Sequence, residues 1–246
     1  MKLWQNDRSP ISQKIEAFTV GRDREFDLQL APFDVLGSLA HTRMLAAVGL
    51  LTAEELAAVQ HELKAIFREI EAGTFAIADD VEDVHSQVEL LLTQRLGEAG
   101  KKIQSGRSRN DQVLVDLKLF VRARLHQVVE ATRRLFDLLI RRSDEHRADL
   151  LPGYTHLQIA MPSSFGLWFG AWAEALVDDT EMLLTAYKLA NKNPLGSGAG
   201  YGSSFPLDRT LTTELLGFDT LHFNVVYAQM SRGKTELVAL IALSQL

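Results

Sequence analysis

The sequence predicts an all-α protein. A mostly helical N-terminal domain over residues 1–110 leads into the first part of a central long-helix bundle over residues 111–246. Two observations carry this. Apolar residues recur at three- and four-residue spacing along most of the chain, while the period-two alternation of strands is nearly absent. The stretch from Asp111 to about Arg147 contains neither Gly nor Pro. At about 1.5 Å per residue, a helix there is roughly 55 Å long. That exceeds the diameter of a small domain and calls for an extended bundle.

Residues 1–30 are polar and show no clear period. From Asp34, which can cap, Leu36, Leu39, Met44, Leu45 and Val48 form an apolar stripe that Gly49 can end. Thr52 and Glu55 have the spacing of a capping box, and Leu56, Val59, Leu63, Ile66 and Ile70 continue the helix until Gly73. A third helix is expected from about Glu82 to Leu96, ended by Gly97. The turn-rich "SGRSRNDQ" at 105–112 precedes the long helix, whose stripe runs through Leu114, Leu117, Val121, Leu125, Val128, Thr132, Leu135 and Leu139. A second long helix is expected over Ser164–Leu189, then a glycine-rich loop at 191–208 and a short helix at Arg209–Leu216. The last residues, "KTELVALIALSQL", read as an apolar helix in mid-course without a capping glycine or polar tail, so the polypeptide is expected to continue.

The composition is that of a globular protein, with 246 residues, 46% hydrophobic and 24% charged. No apolar run reaches the roughly 18 residues of a membrane span, and the N-terminus lacks the apolar core of a signal peptide. Without cysteine there is no disulfide scaffold, thiolate metal site or cysteine nucleophile, and the cytoplasm is the default location. A net charge of −6 argues against bulk attraction to nucleic acid or anionic lipid.

Four clusters could carry chemistry. In "VEDVHSQVE", Glu82, His85 and Glu89 fall on one helical face. A solvated face with one histidine is the plain alternative to a site, and no metal is expected because a zinc signature such as H-E-x-x-H is missing. "SGRSRNDQ" sets Ser105, Arg107, Ser108, Arg109 and Asn110 before a long helix, where free backbone N–H groups and the helix dipole favour an anion such as a carboxylate. The alternative is a capping region with Asn110 or Asp111 as cap and the arginines solvated. "GYTHLQ" at 153–158 places Thr155 and His156 in a bend held by Gly153 and Pro162. It is either a histidine aimed at a cavity or a corner between two bundle helices. "GSGAGYGSS" lets backbone N–H groups approach a ligand, or is a flexible connector. It is not a P-loop, since no Gly-Lys-Ser/Thr follows.

Taken in order, "EDVHSQVE", "GRSRNDQV", "PGYTHLQ" and "PLGSGAG", followed by Asp208–Arg209, resemble the argininosuccinate lyase family of the fumarase/aspartase superfamily, over roughly residues 30 to 210. The resemblance implies a mostly helical subunit in a homotetramer with active sites built from several subunits. It also implies reversible cleavage of argininosuccinate to arginine and fumarate without metal or organic cofactor. Ser108, Arg109 and Asn110 would bind substrate carboxylates, with Thr155 a further donor. His85 and Gln158 would line the substrate pocket, and His156 matches the family's active-site histidine. The chain departs from the family pattern in "QNDR" for a "GGRF"-like start, "IAMP" for "RAQP", and "YAQMSRGKTE" for "SDRDF". The family's serine-bearing loop is absent, so the proton-abstracting serine is expected beyond residue 246. Another lyase of the superfamily, or a non-catalytic, crystallin-like protein of the same fold, is the alternative.

Overall fold

The computed structural model describes residue 18 and residues 21–246. The helical elements are α1 (Asp23–Ala47), α2 (Ala53–Glu71), α3 (Val84–Leu96), the short α4 (Glu98–Lys101), a 3₁₀ turn (Lys102–Gln104), α5 (Arg109–Glu145), α6 (Phe165–Ala190), α7 (Arg209–Leu215), α8 (Val225–Met230) and α9 (Lys234–Leu243). The strands are β1 (Leu150–Thr155), β2 (Gln158–Ser164), β3 (Lys192–Asn193) and β4 (Thr220–Leu221). The described chain divides into two compact units. One holds residues up to Phe120 together with Asn191–Arg232, and the other holds Val121–Ala190 and Gly233–Leu246.

The first unit has its main core where α1, α2 and α3 meet. Val59, Leu63 and Ile66 from α2 pack with Ala31 and Val35 from α1 and with Val84, Val88 and Leu92 from α3. The capping box expected at the start of α2 is present. Thr52 Oγ1 accepts from the Glu55 amide at 3.2 Å, and Glu55 Oε2 accepts from the Thr52 amide at 3.0 Å. Helix α1 differs from expectation. It begins at Asp23, carries Pro32 inside, and buries Asp34 instead of using it as a cap. Leu36 is exposed, and the face turned inward mixes Ala31, Val35, Met44 and Leu45 with Asp34, Ser38, His41 and Thr42. Gly37 lets α5 approach, since a Cβ there would lie 3.3 Å from Val115 and 3.5 Å from Asp116. Helix α3 begins at Val84, capped by Asp83, so Glu82 lies outside it and the expected Glu82–His85–Glu89 face does not form.

In the second unit, Leu125, Leu183, Ala186, Ala239 and Ala242 form a small core. Gly166 packs closely on α5, where Ser143 Oγ donates to its carbonyl at 2.7 Å. Many large apolar side chains here are exposed, among them Leu135, Trp168, Trp172, Leu240 and Ile241. The segment between α5 and α6 is not a helical corner. It is an antiparallel hairpin with Thr155 opposite Gln158 and a bulge after Gly153. His156 and Leu157 form its two-residue turn, with φ of 51° and 63°. Positive φ at both central positions marks a type I′ turn, whose twist matches that of the flanking strands. Among the described residues no helix is long and apolar enough to cross a membrane.

Candidate functional site

The turn before α5 is the best-organised polar region of the first unit. Ser108 is the cap of α5. Its carbonyl accepts from the Gln112 amide at 3.1 Å and its Oγ from the Asn110 amide at 3.2 Å. Asp111 Oδ1 completes the box by accepting from the Ser108 amide at 2.9 Å. The cap is therefore Ser108, not Asn110 or Asp111.

Asp111 also fixes the glycine-rich loop. Its Oδ2 accepts from the amides of Gly196 and Gly198 at 2.9 and 3.0 Å. The loop's backbone donors are thus turned toward a carboxylate of the chain itself, in the kind of backbone nest that binds anions. Burial pushes the Asp111 carboxyl up, and the amide bonds and nearby Arg107 act against it. The loop is braced by Arg209 Nε donating to the Leu195 carbonyl at 2.9 Å and by Gln229 Nε2 bonding Ser197 Oγ and the Gly198 carbonyl. Asp208 caps α7 through the Leu211 amide.

Arg109 faces the start of α3. Its Nη2 donates to Ser86 Oγ at 2.7 Å, and its Nη1 lies 2.6 Å from Asp83 Oδ2 and 3.7 Å from Glu82 Oε2. The Nη1 contacts are ion pairs that leave the N–H groups without an aligned acceptor. Asp83 is shared, because its Oδ1 caps α3 through the Ser86 amide at 2.8 Å. Asn110 Oδ1 accepts from Arg232 at 3.0 Å and its Nδ2 reaches Ser108 Oγ. Ser108, Arg109 and Asn110 are all half-buried.

Behind this turn lies a buried polar cluster. His85 is only 3% exposed. Its Nδ1 sits 2.9 Å from Asp34 Oδ1 and 3.5 Å from Asp116 Oδ2. Gln112 Nε2 donates to Asp34 Oδ1 at 2.6 Å. Burial favours the neutral form of Asp34, but the neighbouring His85 and Arg107 outweigh it and hold the carboxyl below its usual range. Asp116 is pushed well up by burial and by the charge of Asp34. Asp34, His85 and Asp116 are the set among the described residues whose donor atoms lie close enough, within 4.8 Å, to ligate a cation. His41 is also buried, with Nε2 3.0 Å from the Ser105 carbonyl. Burial and Arg107 lower its pKa to about 3, so the neutral ring donates to the carbonyl and ties α1 to the turn.

Thr155, His156 and Gln158 stand at the exposed tip of the hairpin in the second unit, where Leu157 is 98% exposed. A groove of about 660 Å³ in this unit is lined by Phe136, Ile140, Leu167, Val177, Arg147 and Glu174 among others, and it contains none of the site residues expected from the sequence. Sequence reasoning missed Asp116, His41 and Arg232, and read Asp111 only as a possible cap. Only the Ser108-x-x-Asp111 spacing offered a local signal.

A family profile described as lyase matches residues 4–241. The chain belongs to this lyase family. It is 64% identical over 245 residues to an argininosuccinate lyase of Bacteroides fragilis, a match covering 100% of this chain and 55% of the relative. An argininosuccinate lyase of Stenotrophomonas maltophilia is 41% identical over 241 residues, covering 98% of this chain and 56% of the relative. The chain thus spans about half the length of the curated relatives it matches. Among solved structures, an EDDS lyase in complex with formate superposes with a TM-score of 0.78 at 25% identity, covering 96% of this chain and 48% of the other. A fumarate lyase:delta crystallin from Brucella melitensis bound to cobalt superposes with a TM-score of 0.75 at 17% identity, covering 96% and 58%. The fold is that of the fumarase/aspartase superfamily.

Proposed function

We propose that this chain supplies part of an argininosuccinate lyase, which reversibly eliminates fumarate from argininosuccinate to leave arginine. The observation that carries the reading is the 64% identity to an argininosuccinate lyase along the whole chain. The geometry of the α5 turn supports it. In the reaction a base takes a proton from the carbon beside a substrate carboxylate, and negative charge builds on that carboxylate. The carbon–nitrogen bond then breaks while an acid protonates the departing guanidino nitrogen. Donors held in place before the charge develops provide most of the stabilisation. Arg109, steadied by Asp83 and Ser86, is suited to grip a carboxylate. Ser108 and Asn110 flank it at the positive end of a 37-residue helix.

In this reading each site is built from several subunits: His85 of one lines the substrate pocket, and at the hairpin tip of another Gln158 lines it, Thr155 adds a donor and His156 acts on the reacting groups. The active enzyme is a cytoplasmic homotetramer without a cofactor. Assembly is supported by the exposed apolar side chains of the second unit, because so broad an apolar surface seeks a partner. The test is fumarate release from argininosuccinate, followed by ultraviolet absorbance, with a polypeptide of the relatives' full length. Absence of fumarate from a folded protein of that length rejects the proposal.

A further inference from the structure

We propose that Asp116 is a positioning residue: it stays a neutral carboxylic acid, shares its proton with Asp34, and so fixes His85 and the first turn of α3 that steadies Arg109. Three helices meet at this point. Asp34 comes from α1, His85 from α3, and Gln112 and Asp116 from α5. None of the four is more than 3% exposed. Asp34 Oδ1 receives both Gln112 Nε2 at 2.6 Å and His85 Nδ1 at 2.9 Å. Its other oxygen, Oδ2, has no donor, and neither oxygen of Asp116 has one. The single Nδ1–H of His85 is committed to Asp34, and at 3.5 Å from Asp116 Oδ2 it does not serve both.

Two adjacent buried carboxylates whose free oxygens meet no donor disfavour double ionisation. A proton on Asp116 resolves the conflict, and its O–H supplies the donor that Asp34 lacks. The charges facing Asp116 fit this state. Asp34 and Asp27 approach from α1, His85 from α3, and Arg107 from the turn before α5. With Asp116 neutral, ionised Asp34 faces Arg107. Ionising Asp116 as well would add a second buried anion beside Asp34 and near Asp27.

The consequence reaches the turn through covalent neighbours. Ser86 follows His85 and accepts from Arg109, and Asp83, two residues before His85, pairs with the same guanidinium. A shift of His85 therefore displaces both supports of Arg109. This last step rests on the proposed role of Arg109 in gripping a substrate carboxylate; the state of the acid pair does not.

The test separates the two. On this 246-residue chain, infrared difference spectra at neutral pH should show a protonated carboxyl C=O band that disappears in Asp116→Asn. Nitrogen NMR should show His85 Nδ1–H bonded to Asp34 in both proteins, because the asparagine amide can still donate to Asp34. In the full-length enzyme, Asp116→Asn should keep kcat within a few-fold of the parent. Asp116→Ala, which removes the donor, should lower kcat at least about tenfold and alter its pH profile. Failure of the alanine variant to fold leaves the asparagine and infrared measurements to decide. The proposal is overturned if no such band is lost, or if the purified chain carries one equivalent of a divalent metal in the cluster. A normal band together with unchanged kinetics in Arg109→Lys leaves the acid pair standing and removes the role of Arg109.

Discussion

Replacing Asp111 with alanine strips the acceptor from three backbone amides at once, the half-buried one of Ser108 and the buried ones of Gly196 and Gly198. Each orphaned donor costs about 1–3 kcal/mol. The full sum overstates the loss, because burial already pushes the Asp111 carboxyl up and the variant is relieved of that desolvation. A net destabilisation of about 3–5 kcal/mol is expected. For a chain of this size that lowers the melting temperature by roughly 6–20 °C. Asp111→Asn should lose about half as much, since one carbonyl oxygen still accepts while the amide nitrogen faces a donor. Because the chain has two compact units, thermal unfolding should be read with hydrogen exchange. The amides of Gly196 and Gly198 should lose protection first in Asp111→Ala. An alanine variant within about 0.5 kcal/mol of the parent, with unchanged exchange at both glycines, would refute the view that this carboxylate joins the loop to the turn.

Other outcomes follow from the same geometry. His41 titrates near 3 in the fold and His222 near 4, both below the ordinary histidine value, so the unfolded chain binds more protons and both residues withdraw stability as pH falls below about 6.5. For His41 the loss by pH 5 is about 2 kcal/mol. Asp116, raised in the fold, acts with the opposite sign over this range, so the measurement is the difference in denaturation midpoints between parent and His41→Gln at pH 7 and pH 5; equal slopes would count against the assignment. Arg109→Lys keeps the charge but cannot hold Ser86 and Asp83 while presenting a planar fork, so kcat/KM of the full-length enzyme should fall at least about tenfold, about 1.4 kcal/mol; unchanged kinetics would return Arg109 to a structural ion pair. His156→Asn should leave the hairpin intact, because asparagine tolerates positive φ, yet lower turnover by about 10²–10⁴; turnover within a few-fold of the parent would make the histidine a turn residue only. Leu157→Gly should raise stability by about 0.5–1 kcal/mol by removing a side chain from a left-handed conformation, and a lower melting temperature would contradict this.

What the sequence revealed was chiefly local. The Thr52–Glu55 box is written within four residues, and the long α5 follows from an unbroken helical period. Helix α1 was read short because its inner face mixes small and polar residues with Pro32, which hides the period. The hairpin escaped notice for a different reason. Its turn is His156–Leu157 and lacks the Asn or Gly that announces positive φ, while its mostly exposed strands show no apolar alternation. The turn residues Ser108, Arg109 and Asn110 stood out as a cluster, but their supports did not. Asp34 lies 51 residues from His85 and 78 from Gln112, and Asp111 lies 85 and 87 residues from the glycines it holds. Only the folded chain brings such groups together.

The hairpin tip bears on how this protein can be redesigned. A stability-driven procedure would act first on positions 156 and 157, replacing a histidine and a fully exposed leucine in left-handed backbone with Asn-Gly. The result would melt later and look better by every local rule. It would also erase the side chains that set this turn apart from an ordinary connector. Screens that rank variants by melting temperature alone will therefore select against the proposed chemistry, and positions 156 and 157 should be held fixed while the rest of the chain is optimised.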